Sequence, residues 1–188
     1  YNASVRIRTV LKIAFLLGMA TTIICQLIPS SLGEMFYHRD DLGLYIRLSS
    51  ISAPIFFVSN TMVGILNGLN RQSIILRNSI IVSVTEILSL YFFTAIPSIN
   101  IFSYVITIFI TSTLGLLINL YEIKKHIELN LSIFNIIIFT LMGILIFLLL
   151  NLMNKYLFNN LYFSKNIIIL LLTFGIFAYL SKFGIDEY

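Results

Sequence analysis

The sequence predicts an all-α fold, a polytopic membrane bundle of about six transmembrane helices. Three observations predict it. First, apolar blocks run from Val10 to Leu32, Leu48 to Leu69, Ile74 to Ile96, Ile99 to Leu120, Leu131 to Met153 and Ile167 to Phe183. A hydrocarbon core of ~30 Å needs about 20 apolar residues in a helix, which each block satisfies, the last only just. Second, 59% of the 188 residues are hydrophobic and the mean hydropathy is +0.98. A soluble domain of this size could not bury that much apolar surface in one core. Third, the polar residues inside two of the blocks fall along one helical face, as they do in helices that pack against something other than lipid.

The first block is preceded by Arg6 and Arg8 and contains Lys12. The chain opens at Tyr1 without an initiator methionine, so it is expected to be part of a longer protein. No small-residue cleavage site follows a short apolar region, which argues against a signal peptide. Cys25, the single cysteine, has no intramolecular partner and is expected to act as a packing residue.

The second block carries Ser49, Ser50, Ser52, Ser59, Asn60 and Thr61. At 100° per residue, Ser49, Asn60 and Asn67 fall within about 20° of one another, with Ala53, Phe56 and Gly64 beside them. This stripe is expected to face protein or a cavity, and the opposite side (Ile51, Ile55, Val58, Met62, Ile65, Leu69) to face lipid. Pro54 removes a backbone hydrogen bond and frees a carbonyl near Ser50, which nearby serine hydroxyls can satisfy. It reads either as a static kink or as a hinge that widens a central cavity.

In the third block, Asn78, Thr85 and Ser89 share a stripe with Glu86 at its edge. Glu86 is the one acidic residue inside any block as bounded above. An ionised acid at a helix centre costs about 2.5–3.5 kcal/mol on insertion scales, so Glu86 is expected to face the bundle interior, either protonated or paired. It reads as a sodium or proton site, as a partner for a cation on another helix, or as a structural hydrogen-bonding carboxyl. Asn60, Asn78, Thr85, Glu86 and Ser89 are thus the cavity-facing candidates.

The fourth block repeats small residues every four positions, Ser103, Thr107, Thr111 and Gly115, and the second has Gly64 and Gly68 at the same spacing. Such ridges let helices approach closely. The last two blocks are almost uniformly apolar and are expected to be peripheral, in contact with lipid.

A net charge of +4 would suggest nucleic acid in a soluble protein, but here the basic residues sit in short connections between blocks or within a few residues of a block end, and no nucleic-acid partner is expected. Positive-inside counting uses them better. With the N-terminus inside, Arg6, Arg8, Lys12, Arg71, Arg77, Lys124, Lys125 and Lys182 are cytoplasmic, against Arg39, Arg47, Lys155 and Lys165 outside. Eight against four places both ends in the cytoplasm of a multi-pass protein of the cell membrane. Arg71 and Arg77 then lie in a cytoplasmic basic loop, as interface anchors or as attractors of an anionic headgroup. His38 and His126 are far apart, and there is no phosphate loop, nucleophile motif or metal-ligand cluster. Neither an enzyme nor a metal or other cofactor is expected, beyond coupling to sodium or protons.

The stretch Gly64-Ile65-Leu66-Asn67-Gly68-Leu69-Asn70-Arg71-Gln72 closes one block and opens the next at a basic loop. It resembles the GILNGLGKQ-type signature of stage V sporulation protein B and its relatives in the multidrug/oligosaccharidyl-lipid/polysaccharide exporter superfamily. Asn70 and Arg71 stand where many relatives have Gly and Lys. The surrounding layout is similar too: Phe36-Tyr37 and Tyr45 before a Pro-containing span, then a span closing at Pro97. The resemblance implies a protein of two six-helix lobes around a central cavity, with two added C-terminal helices. Residues 1–125 would then be four spans of the C-terminal lobe and residues 126–188 the two peripheral spans, the N-terminal lobe of the same protein being absent. It further implies a flippase for a lipid-linked saccharide or peptidoglycan precursor, working by alternating access among membrane lipids. The alternatives are a cation-coupled drug or metabolite exporter of the same fold, and a non-transporting membrane subunit or truncated product.

The charge asymmetry is checked by cysteine labelling from outside in a Cys25→Ser background. A cysteine at Asp40 is expected to label and one at Asn70 not to; the reverse pattern would invert the topology.

Overall fold

The computed structural model describes residues 2–99, 102–127, 133–156 and 164–183. Among the described residues there are eight helices and no strand: α1 (Asn2–Leu27), α2 (Pro29–Tyr37), α3 (Gly43–Ser50), α4 (Ala53–Gly68), α5 (Gln72–Thr94), α6 (Ser103–Lys124), α7 (Ile133–Tyr156) and α8 (Ser164–Phe183). Four stretches are long and apolar enough to cross a membrane: Ala3–Leu27, Gln72–Thr94, Ser103–Lys124 and Ile137–Lys155. The pair α3 and α4 makes a fifth only if counted as one broken span, and the apolar stretch of α8, Asn166–Lys182, is shorter. Among the described residues, then, four stretches, or five with the broken pair, meet that test where the sequence predicts six. The expected start of the fifth block at Leu131 lies outside the described residues.

Proline accounts for two of the boundary differences. The first helix begins at Asn2 rather than Val10 and ends at Leu27 rather than Leu32, because Ile28 leaves the helical region (φ −129°, ψ 44°) ahead of Pro29. Pro29 then opens α2, where a missing N–H costs nothing. In the second block the helix breaks at Ile51–Ser52, and Pro54 lies in the first turn of α4 rather than in mid-span. The Ser50 carbonyl, four residues before Pro54, accepts a hydrogen bond from the Thr22 hydroxyl at 2.8 Å. Gln26 Nε2 donates to the Arg47 carbonyl at 2.9 Å and to Ser50 Oγ at 3.2 Å. The freed carbonyl is thus where the sequence places it, but its donor comes from α1 and not from a neighbouring serine.

The chain divides into two compact units, Tyr1–Phe15 with Ser52–Asn130, and Leu16–Ile51 with Leu131–Tyr188. In the first, α6 is the central helix, and α4 and α5 both pack chiefly on it. Its buried face is Ser103, Thr107, Thr111, Ser112, Gly115, Asn119, Glu122 and Ile123, the expected small-residue ridge carried two turns further. A Cβ on Gly115 would lie 2.8 Å from Ser59 Oγ of α4 and 3.7 Å from Val82 Cγ2 of α5, so glycine leaves the room that side chains of both neighbouring helices use at this point. At the turn end of the α5–α6 hairpin, Thr94 Oγ1 and Ser103 Oγ hydrogen-bond at 3.3 Å.

The orientation of α4 reverses the expected one. Met62, assigned to lipid, is 2% exposed, and with Ser59 and Leu66 it forms the packed face. Asn60, Gly64 and Asn67 are exposed instead. A small-residue ridge on α6 leaves room for a large side chain opposite, so burial of Met62 and Leu66 outweighs burial of the amide stripe.

The second unit has an apolar core of Leu16, Ala20, Ile23, Ile24, Leu27 and Ile28 together with Leu150, Ile169 and Phe177. The α1 members follow the i, i+4, i+7 spacing of one helical face. On α7, Leu141, Leu145, Leu148, Leu149 and Leu152 remain exposed, an outward face suited to lipid. Between α2 and α3, Arg39 donates to both carboxylate oxygens of Asp41. That bond holds the Asp41 carboxyl below the usual range, so its contribution is present at neutral pH and lost as pH falls through the lowered value.

The crossing at Gly115 makes a stability prediction. Gly115→Leu should destabilise the folded chain in detergent by about 1–3 kcal/mol through overpacking. Gly64→Ala and Gly68→Ala, where an added Cβ meets nothing within 4 Å, should be neutral or slightly stabilising in the same melting experiment.

Candidate functional site

The stretch from Gly64 to Gln72 folds into a helix stop and restart. Asn70 adopts φ 57°, the left-handed conformation open to Gly and next most readily to Asn. The Arg71 N–H donates to the Leu66 carbonyl at 3.0 Å and the Asn70 N–H to the Asn67 carbonyl at 2.9 Å. This pair of bonds is the Schellman closure of a helix C-terminus. Asn at position 70 therefore serves the backbone geometry that Gly would serve there. Arg71 follows as the N-cap of α5 and is exposed.

On either side of this turn, Val63, Gly64 and Asn67 of α4 and Gln72, Ile75, Leu76 and Ser79 of α5 line an open groove of about 430 Å³. Its walls are apolar, and the amides of Asn67 and Gln72 and the Ser79 hydroxyl supply hydrogen-bonding capacity. Gly64 keeps the α4 wall low. Asn60, one turn before Gly64, is exposed on α4 but is not a lining residue.

The α5 candidates separate. Asn78 is buried against α6, while Thr85 and Ser89 are half-buried, and the Thr85 hydroxyl returns to the Ile81 carbonyl at 2.8 Å. Glu86 is half-buried and has no hydrogen-bond or ion-pair partner among the described residues. The structure does not gather these four side chains into one polar centre.

It builds a different centre, from residues near the start of α5 and the end of α6. Arg77 lies in the second turn of α5 rather than in a loop. Its Nη2 donates to Glu122 Oε1 at 2.6 Å and to Asn78 Oδ1 at 3.1 Å, and Nε donates to the same Asn78 oxygen at 3.3 Å. Asn78 Nδ2 in turn donates to Asn119 Oδ1 at 2.9 Å. Lys125 Nζ lies 3.5 Å from Glu122 Oε2 and 4.2 Å from the centre of the Tyr121 ring. The Glu122 side chain is 7% exposed and that of Arg77 58%, so a buried carboxylate is neutralised by cations that reach it from the surface.

Glu122 and Asn119 were not among the sequence candidates. The fourth block was closed at Leu120, whereas α6 continues to Lys124, so Glu86 is not the only acid on a spanning helix. The signal was present in the four-residue ridge, which runs from Gly115 to Asn119 and reaches Glu122 one turn later. Among the described residues no group of three His, Cys, Asp or Glu side chains could hold a metal ion. Compared with protein-family models, with curated proteins and with solved structures, the chain matches none.

The buried amide pair is expected to couple α5 to α6 measurably. In a double-mutant cycle of Asn78→Ala and Asn119→Ala, followed by denaturation in detergent, the coupling energy should be about 0.6 kcal/mol and at most about 1.7, the range of interhelical hydrogen bonds in membranes.

Proposed function

We propose that this chain is the C-terminal part of a membrane flippase for lipid-linked saccharide or peptidoglycan precursors, built like the C-terminal lobe and two added helices of a fourteen-helix exporter. The observation that carries the reading is the groove between α4 and α5, which pairs apolar walls with the amides of Asn67 and Gln72 in the stretch that resembles the exporter signature. An amphiphile with a polar headgroup and a long hydrocarbon tail needs both surfaces along its path. The exposed amide at Asn60 extends the polar face further along α4, on a helix that does not face its neighbours with that side. In lipid such a face is costly, which favours a water-filled cavity beside it. The reaction would be conformational: substrate binding biases inward-open against outward-open states, and no bond is made or broken.

A second reading, a cation-coupled exporter of the same fold, is favoured by Glu86. A half-buried carboxylate with no partner in its own helix hairpin is a natural point for a proton or sodium ion to engage during transport. Glu86→Gln in the full-length protein separates the two readings. Loss of ion-dependent transport with intact membrane expression supports the cation-coupled exporter, and unchanged transport leaves Glu86 structural.

The groove itself is tested by thiol labelling in membranes, using cysteines at Asn60, Asn67 and Ile80, all exposed positions. Asn60→Cys and Asn67→Cys should react with a hydrophilic reagent much faster than Ile80→Cys, whose exposed apolar position is expected to meet lipid. Equal, negligible rates at all three would remove the aqueous cavity and with it the transport reading.

A further inference from the structure

We propose that the ends of α5 and α6 carrying Arg77, Tyr121 and Lys125 form an interfacial binding site for the headgroup of an anionic phospholipid, separate from the α4–α5 groove. The proposal requires only that the chain sits in a membrane and does not depend on the transport reading.

The charge arrangement comes first. Two cations from different helices, Arg77 and Lys125, converge on the one carboxylate of Glu122, at 2.6 Å and 3.5 Å. The carboxylate is buried and the cations are not, so the surface presents two positive groups held side by side over a single hidden negative one. Lys124, also exposed, adds a further positive charge in the next position. Arg77 spends Nε and Nη2 on Asn78 and Glu122, and among the described residues its Nη1 is unengaged. These contacts fix the guanidinium plane before any ligand arrives, which lowers the ordering cost of binding a phosphate. Lys125 is placed in the same way by its seat over the ring of Tyr121, itself 63% exposed.

The apolar surface next to these charges selects a lipid over a soluble phosphate. At 100° per residue, Ile81, Val84 and Leu88 lie within about 40° of Arg77 on α5. All three are exposed, as is Leu117, one turn before Tyr121 on α6. From Arg77 to Leu88 the helix rises about 16 Å, close to half of a ~30 Å hydrocarbon core. A phosphate between Arg77 and Lys125 would therefore leave its acyl chains against an apolar wall as deep as one leaflet. Tyr121, with its ring and hydroxyl, has the amphipathic character of residues at the membrane–water boundary.

The test is native mass spectrometry of the whole chain released from detergent with phosphatidylglycerol or phosphatidylcholine of identical acyl composition. The wild-type chain should retain phosphatidylglycerol preferentially. Lys125→Gln should weaken that retention about fivefold, the loss expected for one cation near an anionic headgroup, and Arg77→Gln should weaken it at least as much. Lys125→Gln leaves both the Arg77–Glu122 and Asn78–Asn119 bonds in place, so it carries the test even if Arg77→Gln fails to fold. Arg39→Gln, in the α2–α3 connection, should change nothing. Equal retention of the two lipids by wild type, or unchanged retention in Lys125→Gln, overturns the proposal. So does displacement of phosphatidylglycerol by millimolar inorganic phosphate, which marks a soluble-phosphate site, or by one equivalent of a polyprenyl diphosphate, which assigns the residues to a transported substrate.

Discussion

The close approach of α4 and α5 to the buried face of α6 is the constraint on which the first unit depends. Between membrane helices the lipid supplies no hydrophobic driving force, so packing contacts and interhelical hydrogen bonds must hold them together. The face of α6 meets both needs. Its middle is Thr107, Thr111 and Gly115, small enough for Ser59 and Val82 to reach the α6 backbone. Its two ends are polar, with Ser103 bonded to Thr94 at one and Asn119 and Glu122 bonded to Asn78 and Arg77 at the other. A hairpin zipped at both ends and tight in the middle has little freedom to shift register.

The remaining surfaces of the unit follow from that packing. Because α6 takes Met62 and Leu66 into its small-residue ridge, the amides of α4 are turned away from it, and the groove with α5 forms on the side they face. Because Asn78 is committed to Asn119, the neighbouring Arg77 is directed to Glu122 and the opposite side of α5 is left apolar and open. Helix α5 thus separates a largely apolar groove, shared with α4 and carrying a few amides, from a charged rim beside an apolar wall, shared with α6. Those are distinct environments for an amphiphile, and they arise on different faces of α5.

The break before α4 shows how the backbone group freed by a proline finds a partner within the protein. Losing the N–H of Pro54 would strand the Ser50 carbonyl, at a cost of several kcal/mol in a hydrocarbon setting. Thr22 and Gln26 satisfy the carbonyls and hydroxyl at the end of α3, so the second unit itself supplies the polar groups that the break requires. The Thr22 hydroxyl also lies 3.0 Å from the Gly18 carbonyl of its own helix, the usual resting place of a threonine hydroxyl, so its single proton is shared between the two carbonyls with no change of side-chain position.

The amino-acid sequence by itself determined the helical class, the membrane-like composition, the small-residue ridge of α6 and the turn around Asn70. These are local properties: hydrophobic length, four-residue spacing and the backbone preferences of Gly, Asn and Pro act within a few residues of where they are written. The freed carbonyl at Ser50 was legible for the same reason, since a proline always removes the same donor. Tertiary structure alone decided which face of α4 is buried, because amphipathicity gives a stripe without saying whether apolar neighbours or polar surroundings will claim it. It alone joined Arg77 to Glu122 and Asn78 to Asn119, pairs 45 and 41 residues apart whose meeting depends on the register of two antiparallel helices. Glu86 stood out in the sequence because it is alone in an apolar stretch, whereas Glu122 lies beside Lys124 and Lys125, past the end of the apolar block at Leu120. Burial and pairing, not the residue type, separate the two carboxylates, and both are set by the neighbouring helix.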